Sequence, residues 1–230
     1  MNSLLLKIIA ILFMTIDHTG NVFLNDFELF RFLGRIAFPV FGFLLVEGFN
    51  HTKDDKKRYY NYLFRILILA LITETFYDKL FFDKYIYLGS QNILFTLFTA
   101  LICMKIYDTN KENIFHKIES VFIVIYIGII IQILSFDYGL PGIFLIFNYY
   151  LISQYNKNKF LLYIINTILY MMLFSFFYKY SIVLLGVLLS LIPICFYNSQ
   201  KGYNSKFIQY AFYLYYPLHI IVMLIIKTLT

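Results

Sequence analysis

An acid and an imidazole stand side by side at Asp17-His18, and a guanidinium follows at Arg35 within Gly34-Arg35-Ile36-Ala37-Phe38-Pro39. A second imidazole, His219, closes the run Tyr215-Tyr216-Pro217-Leu218-His219 near the end of the chain. These residue types move protons and hold anions. A carboxylate beside an imidazole can fix its tautomer and stabilise the imidazolium, which suits general-base work. A guanidinium can hold a carbonyl oxygen or a phosphate. Adjacent residues on a helix point about 100° apart, so Asp17 and His18 need not touch each other. The surroundings are almost wholly apolar from Leu4 to Phe49. In lipid, Asp or Arg at a helix centre costs roughly 2.5–3.5 kcal/mol unless it is paired or faces a polar cavity. The elements around these residues must therefore bring them together.

Composition says what those elements are. Of 230 residues, 61% are hydrophobic, 21% aromatic and 14% charged, with mean hydropathy +0.74. A soluble domain is about 45–50% apolar and about 25% charged. The surplus exceeds one core, so lipid must solvate it, and the expected fold is an all-α polytopic transmembrane bundle in a single domain over residues 1–230. Net charge is +6. The basic residues sit mostly in short loops between apolar runs, where they orient a membrane protein and do not form a nucleic-acid surface. Cys103 and Cys195 lie within apolar runs, without metal-ligand spacing, and read as small hydrophobes. No small-x-small cleavage site follows the first apolar run, so it reads as a retained helix. Richness in Ile, Lys, Asn, Tyr and Phe, with no Trp, fits an AT-rich bacterial genome.

About 20 apolar residues span a bilayer, with runs of roughly 17–25 acceptable. Nine runs (eight to ten, allowing for short ones) meet or approach that: 4–24, 32–49, 60–77, 92–107, 121–136, 143–153, 160–177, 181–197 and 207–229. The sixth is short enough to be tilted or re-entrant. One side of this array holds Lys7, Lys53, Lys56, Lys57, Arg58, Lys111, Lys117, Lys157, Lys159, Lys201 and Lys206; the other holds only Arg31, Lys79, Lys84, Lys179 and Lys227. The positive-inside rule makes the first side cytoplasmic, with the N-terminus inside a bacterial cytoplasmic membrane. Asp17, His18, Arg31, Arg35, Glu74, Asp78, Gln91, Asn92 and Asp137 then converge on the opposite face.

Each candidate also has a plainer reading. Asp17-His18 can be an interfacial cap ending its helix before Gly20. Arg35 can pair with Asp17, and Pro39 four residues on must release one backbone carbonyl. Arg31 reads as a snorkelling anchor. Glu47 can be interfacial. Lys56 and Arg58, in the densest basic run, either touch anionic lipid or meet the phosphates of a cytosolic nucleotide-bearing donor. Asn92 can cap a helix or offer its amide to an oxyanion. His219 lies twelve residues into the last run, roughly 18 Å deep at ~1.5 Å per residue, and needs an inward-facing partner.

Taken in order, Lys7-Ile8-Ile9-Ala10 through Thr15-Ile16-Asp17-His18, the Gly34–Phe41 and Leu44–Phe49 segments, Asn92–Leu97, Asp137-Tyr138-Gly139 with Gly142, and Phe212–His219 resemble the TraX family. The resemblance implies a polytopic membrane acetyltransferase with acetyl-CoA as donor and a pilin or other peptide amine, or a glycan hydroxyl, as acceptor. It carries the family's Asp-His pair onto Asp17 and His18, its Gly-Arg-x-Ala-x-Pro onto Gly34, Arg35 and Pro39, and its Pro-Leu-His onto Pro217 and His219. His18, Asp17 and Arg35 are then the expected catalytic residues. Asn92, His219, Tyr216, Glu47, Lys56 and Arg58 are weaker substrate or donor contacts, with no metal. The rival from the same residues is a proton-coupled transporter or export component of a conjugation or surface-assembly system, since intramembrane Asp, His and Arg also build proton relays.

Overall fold

The computed structural model describes residues 1–25, 27–155, 159–178, 182–203 and 205–229, apart from the side chain of Lys206. Lys157 and Lys179, used above for orientation, lie outside that set. The described chain is helical throughout, its one β-like contact an isolated bridge between Gln91 and Phe136. In order the helices are α1 (Ser3–Phe23), α2 (Glu28–Gly34), α3 (Ala37–Asn50), α4 (Lys56–Phe82), α5 (Ile93–Asn110), α6 (Ile114–Ile133), α7 (Gly139–Ser153), α8 (Lys159–Phe177), a 3-10 segment (Ile182–Ser190), α9 (Leu191–Cys195) and α10 (Lys206–Leu229).

The side-chain pattern is that of a membrane bundle. Along α8 the buried residues are Tyr163, Asn166, Thr167 and Tyr170, while Leu161, Ile165, Ile168 and Leu169 are exposed. On α6, Ser120, Val124, Gly128 and Ile131 point inward and Phe122, Ile125, Tyr126 and Ile129 outward. The outward residues are all large and apolar, while the inward ones include the small or polar Ser120, Gly128, Asn166 and Thr167, an arrangement that lets helices pack closely in lipid. The inward amide of Asn166 ties α8 to α7, its Nδ2 donating to the Leu145 carbonyl at 3.2 Å.

Among the described residues, six helical stretches are long and apolar enough to cross a membrane: Ser3–Phe23, Glu28–Asn50, Ile93–Asn110, Ile114–Ile133, Lys159–Phe177 and Phe207–Leu229. The nine expected spans are thus not all matched by length and hydropathy. The third falls within α4, which is 27 residues long but carries charge along its length. The sixth and eighth correspond to the shorter Gly139–Ser153 and Ile182–Cys195. In α7 the hydrophobicity serves the core, with Ile143, Leu145, Ile146, Tyr149 and Tyr150 buried at the centre of the bundle, whereas the 182–195 stretch buries Val183, Leu184 and Val187 and exposes Ile182 and Ile192.

A second departure concerns the run expected as one helix over 32–49. It is two helices, broken at Arg35-Ile36. Pro39 sits in the first turn of α3, where its missing N–H leaves no helical bond unmade. A third concerns α1, which continues past Gly20 to Phe23, so Asp17-His18 is not a terminal cap. Gly20 and Gly34 let α1 and α2 lie close. A Cβ on Gly20 would fall 2.6 Å from the Phe30 Cβ, and one on Gly34 would overlap the Asp17 side chain.

Contacts sort the loops into two ends. At the Lys7 end, Ser3 N donates to the Gln200 carbonyl at 2.7 Å, and Asp108 accepts from Lys53 at 3.1 Å and from Tyr150 at 2.7 Å. At the Asp17 end, Gln91 N donates to Ser135 O at 2.9 Å, Asp137 N returns to Gln91 O at 3.0 Å, and Lys227 reaches Leu80 O at 2.7 Å.

Gly34→Ala is expected to lower stability by roughly 1–3 kcal/mol through overpacking against Asp17. Leu12→Ala, on the exposed face of α1, should change it by less than about 0.5 kcal/mol. Thermal unfolding of the detergent-solubilised protein compares the two.

Candidate functional site

A cavity of about 810 Å³ runs between α1, α3, α4 and α10 from one end of the bundle toward the other. At the Asp17 end its wall includes Asp17, His18, Arg31, Arg35, Asp137 and Tyr138; at the Lys7 end, Lys7, Glu47, His51, Arg58, Arg65 and Lys201. Between them the wall is mostly apolar and aromatic, with Met14, Phe41, Leu97 and Tyr216.

Asp17 is engaged by α2. Arg31 Nη1 lies 2.8 Å from Asp17 Oδ1, and Gly34 presses on the same side chain. The ion pair seen here therefore comes from Arg31, expected above as a snorkelling anchor, and Arg31 is a cavity residue. Arg35 points elsewhere: its Nη1 donates to Tyr138 Oη at 3.4 Å. Tyr138 holds a left-handed backbone, φ +63°, and stacks on Phe38 with ring centroids 3.8 Å apart. A non-glycine residue in that region stores strain that the surrounding structure must hold in place. The pinning contacts are present. Thr96 Oγ1 donates to the Asp137 carbonyl at 2.5 Å, Tyr138 N to Asp137 Oδ1 at 3.0 Å, and Leu140 N to Gln132 Oε1 at 3.0 Å.

His18 meets His219 and not Asp17. His18 Nδ1 and His219 Nε2 are 2.8 Å apart, with the rings stacked at 5.0 Å, and His219 Nδ1 lies 3.1 Å from the Tyr215 carbonyl. Phe81 and Tyr216 pack edge-on against His18. Of the weaker candidates, Tyr216, Glu47 and Arg58 are on the cavity wall, and Glu47 accepts from Tyr197 Oη at 3.0 Å. Lys56 is exposed in the first turn of α4, away from the wall. Asn92 is a correction. It is fully buried; its amide donates to the Ala70 carbonyl at 2.9 Å and to Glu74 Oε2 at 2.5 Å, and its oxygen accepts from Leu94 N at 3.0 Å. With both amide hydrogens used, it anchors α5 to α4 and has none to offer an oxyanion.

Sequence reasoning passed over Lys7, Arg65 and Lys201 as site residues. Arg65 did carry a signal, because the cost argument applied to Arg35 holds equally inside the run 60–77. Its guanidinium lies 4.7 Å from the Tyr213 ring centroid and 5.8 Å from that of Tyr210. Lys7 and Lys201 are brought together only by the packing of the N-terminus on the loop before α10, where Ser3 N donates to Gln200 O and Asn198 N to Met1 O.

An all-helical membrane protein with a charged cavity among its helices is the class that this architecture defines. The family model described as "TraX protein" matches residues 3–227, and the chain belongs to the TraX family. It is 33% identical over 233 residues to a protein described as "Probable fimbrial assembly protein FimC, serogroup H1" from Dichelobacter nodosus, covering 94% of this chain and 91% of that one. It is 28% identical over 113 residues to "Uncharacterized protein RP591" from Rickettsia prowazekii, covering 49% and 40% respectively. No solved structure matches at a significant level.

Asp137, in the loop between α6 and α7, has its carboxyl raised to about 6 by burial, with Arg35 pulling it back down and Asp17 adding to the rise. An unfolded aspartate titrates near ~3.9. The folded state therefore holds more protons between roughly pH 4 and 6, and the Asp137 contribution to stability falls as pH rises through that window. Asp137→Asn should flatten this part of the melting temperature against pH profile.

Proposed function

We propose that residues 1–230 form an acyltransferase-like unit that moves an acetyl group from acetyl-CoA to an amine or hydroxyl acceptor at the membrane. The observation that carries this reading is the single cavity with cations at one end and His18, Arg35 and Tyr138 at the other. The donor's phosphates meet Lys7, Arg58, Arg65 and Lys201. Lys7 and His18 are eleven residues apart on one helix, roughly 16 Å at ~1.5 Å per residue. A long, flexible thioester arm covers such a distance while its phosphates stay at the cavity mouth. The distribution of basic residues puts that mouth, with the N-terminus, on the cytoplasmic side, where acetyl-CoA is made.

At the inner end His18 takes the proton from the acceptor nitrogen or oxygen, which attacks the thioester carbonyl. The developing oxyanion is met by Arg35 and the Tyr138 hydroxyl, whose own proton is free to donate while it accepts from Arg35. The intermediate collapses with cleavage of the C–S bond, and the thiolate takes the proton from the His18 imidazolium. Family membership and the fimbrial-assembly name of the Dichelobacter nodosus relative favour a surface-fibre subunit, such as a pilin N-terminus, as acceptor.

The test is transfer from labelled acetyl-CoA to a peptide bearing a free N-terminus, by the protein in nanodiscs. Arg65→Gln and Lys201→Gln should each raise the KM for acetyl-CoA about tenfold with little change in kcat, the loss of one charge-assisted bond. His18→Ala should lower kcat by ~10²-fold or more. Full transfer by His18→Ala, or activity that follows a proton gradient without acetyl-CoA, would overturn the reading.

A further inference from the structure

The contacts of His219 specify where its protons are. A carbonyl oxygen only accepts, so the 3.1 Å contact to Tyr215 requires a hydrogen on His219 Nδ1. In an apolar interior the imidazole pair costs least with both rings neutral. A neutral His219 with Nδ1–H has a bare Nε2, and that atom lies 2.8 Å from His18 Nδ1. His18 Nδ1 must then carry the hydrogen and donate it. The ring that results has its lone pair on Nε2, the nitrogen a base needs, on the residue that lines the cavity.

Both rings are held. Tyr215 stacks on His219 at 5.4 Å and 13°, Tyr216 meets it edge-on at 5.3 Å, and Phe81 meets His18 at 5.3 Å. Thr15 ties the same helices one turn away, its Oγ1 2.7 Å from Tyr215 Oη. His219 is itself buried and is absent from the cavity wall, so it acts through His18. A carboxylate usually performs this service. The neighbouring carboxylate, Asp17, is instead turned to Arg31.

We propose that His219 is the positioning residue for His18: it accepts the His18 Nδ1 proton, fixes the tautomer with Nε2 bare, and holds the imidazolium once Nε2 is protonated. The tautomer stands on geometry alone. Its catalytic consequence rests on the acetyl-transfer reading above.

Nitrogen-15 spectra of histidine-labelled protein in nanodiscs test the first part. The chain has four histidines, so His18→Gln and His219→Gln assign the two signals. Wild type should show His18 with protonated Nδ1 and bare Nε2, and His219→Ala should convert His18 to a mixture of tautomers. A His18 signal with Nε2–H in the wild type, or one unchanged by His219→Ala, overturns the proposal. In the transfer assay, His219→Ala should lower kcat ~30-fold or more with the KM for acetyl-CoA within about twofold. His219→Asn, whose amide oxygen can accept from Nδ1, should recover part of that loss. Equal loss in both variants, with melting temperatures near wild type, also counts against it. The expected tautomers in a protein that transfers no acetyl group would support the positioning role and remove the acetyl-transfer reading instead.

Discussion

The contact on which the bundle depends is that of Asp17 with α2. A carboxylate on an apolar helix must be compensated, and here Arg31 sits 2.8 Å from Asp17 while Gly34 lets the α2 backbone close over the same side chain. A larger residue at 34 would hold the two helices apart. α2 ends there, and after Arg35 and Ile36, both with helical dihedrals, the chain continues as α3. At this junction Arg35 reaches Tyr138, and the 3-10 segment seals the outer side, where a Cβ on Gly186 would overlap the Phe32 carbonyl. One ion pair therefore fixes the positions of three of the charged residues on the cavity wall.

Polar groups elsewhere divide into those that build and those that face the cavity. Glu74, Asn92 and Ala70 tie α4 to α5, and Gln91, Gln132 and Thr96 pin the loop carrying Asp137 and Tyr138. Their bonds are internal, as satisfied polar groups in a low-dielectric bundle must be. The cavity residues include charges of both signs and two linked imidazoles. Strain at Tyr138 falls among the latter, and the rigid loop supports it.

The match to the TraX family runs from residue 3 to residue 227, so it includes both the Lys7 end and His219. Residues more than 200 positions apart, His18 and His219, sit within one hydrogen bond of each other. The cavity wall likewise draws on distant parts of the chain: α1, α2, the loop before α7, and α10.

The sequence by itself determined the class and singled out the charged residues that the packing had to compensate. Its apolar surplus demands lipid, most of its apolar runs have the length of a helical span, and the cost of charge in oil singles out Asp17, His18, Arg35 and His219 wherever they pack. The Asn92 cap was legible too, because a helix start is a local matter. Pairing was not. Helical spacing gives the angle between neighbours on one helix but says nothing about which helix lies across from it. So Arg31 rather than Arg35 lies against Asp17, His219 rather than Asp17 lies against His18, and Asn92 faces Glu74 rather than the cavity. Hydrophobicity likewise cannot tell a residue turned to lipid from one turned to protein, which is why α7 read as a short span while its side chains fill the core. Contacts between distant segments are properties of packing, and only the tertiary structure decides them.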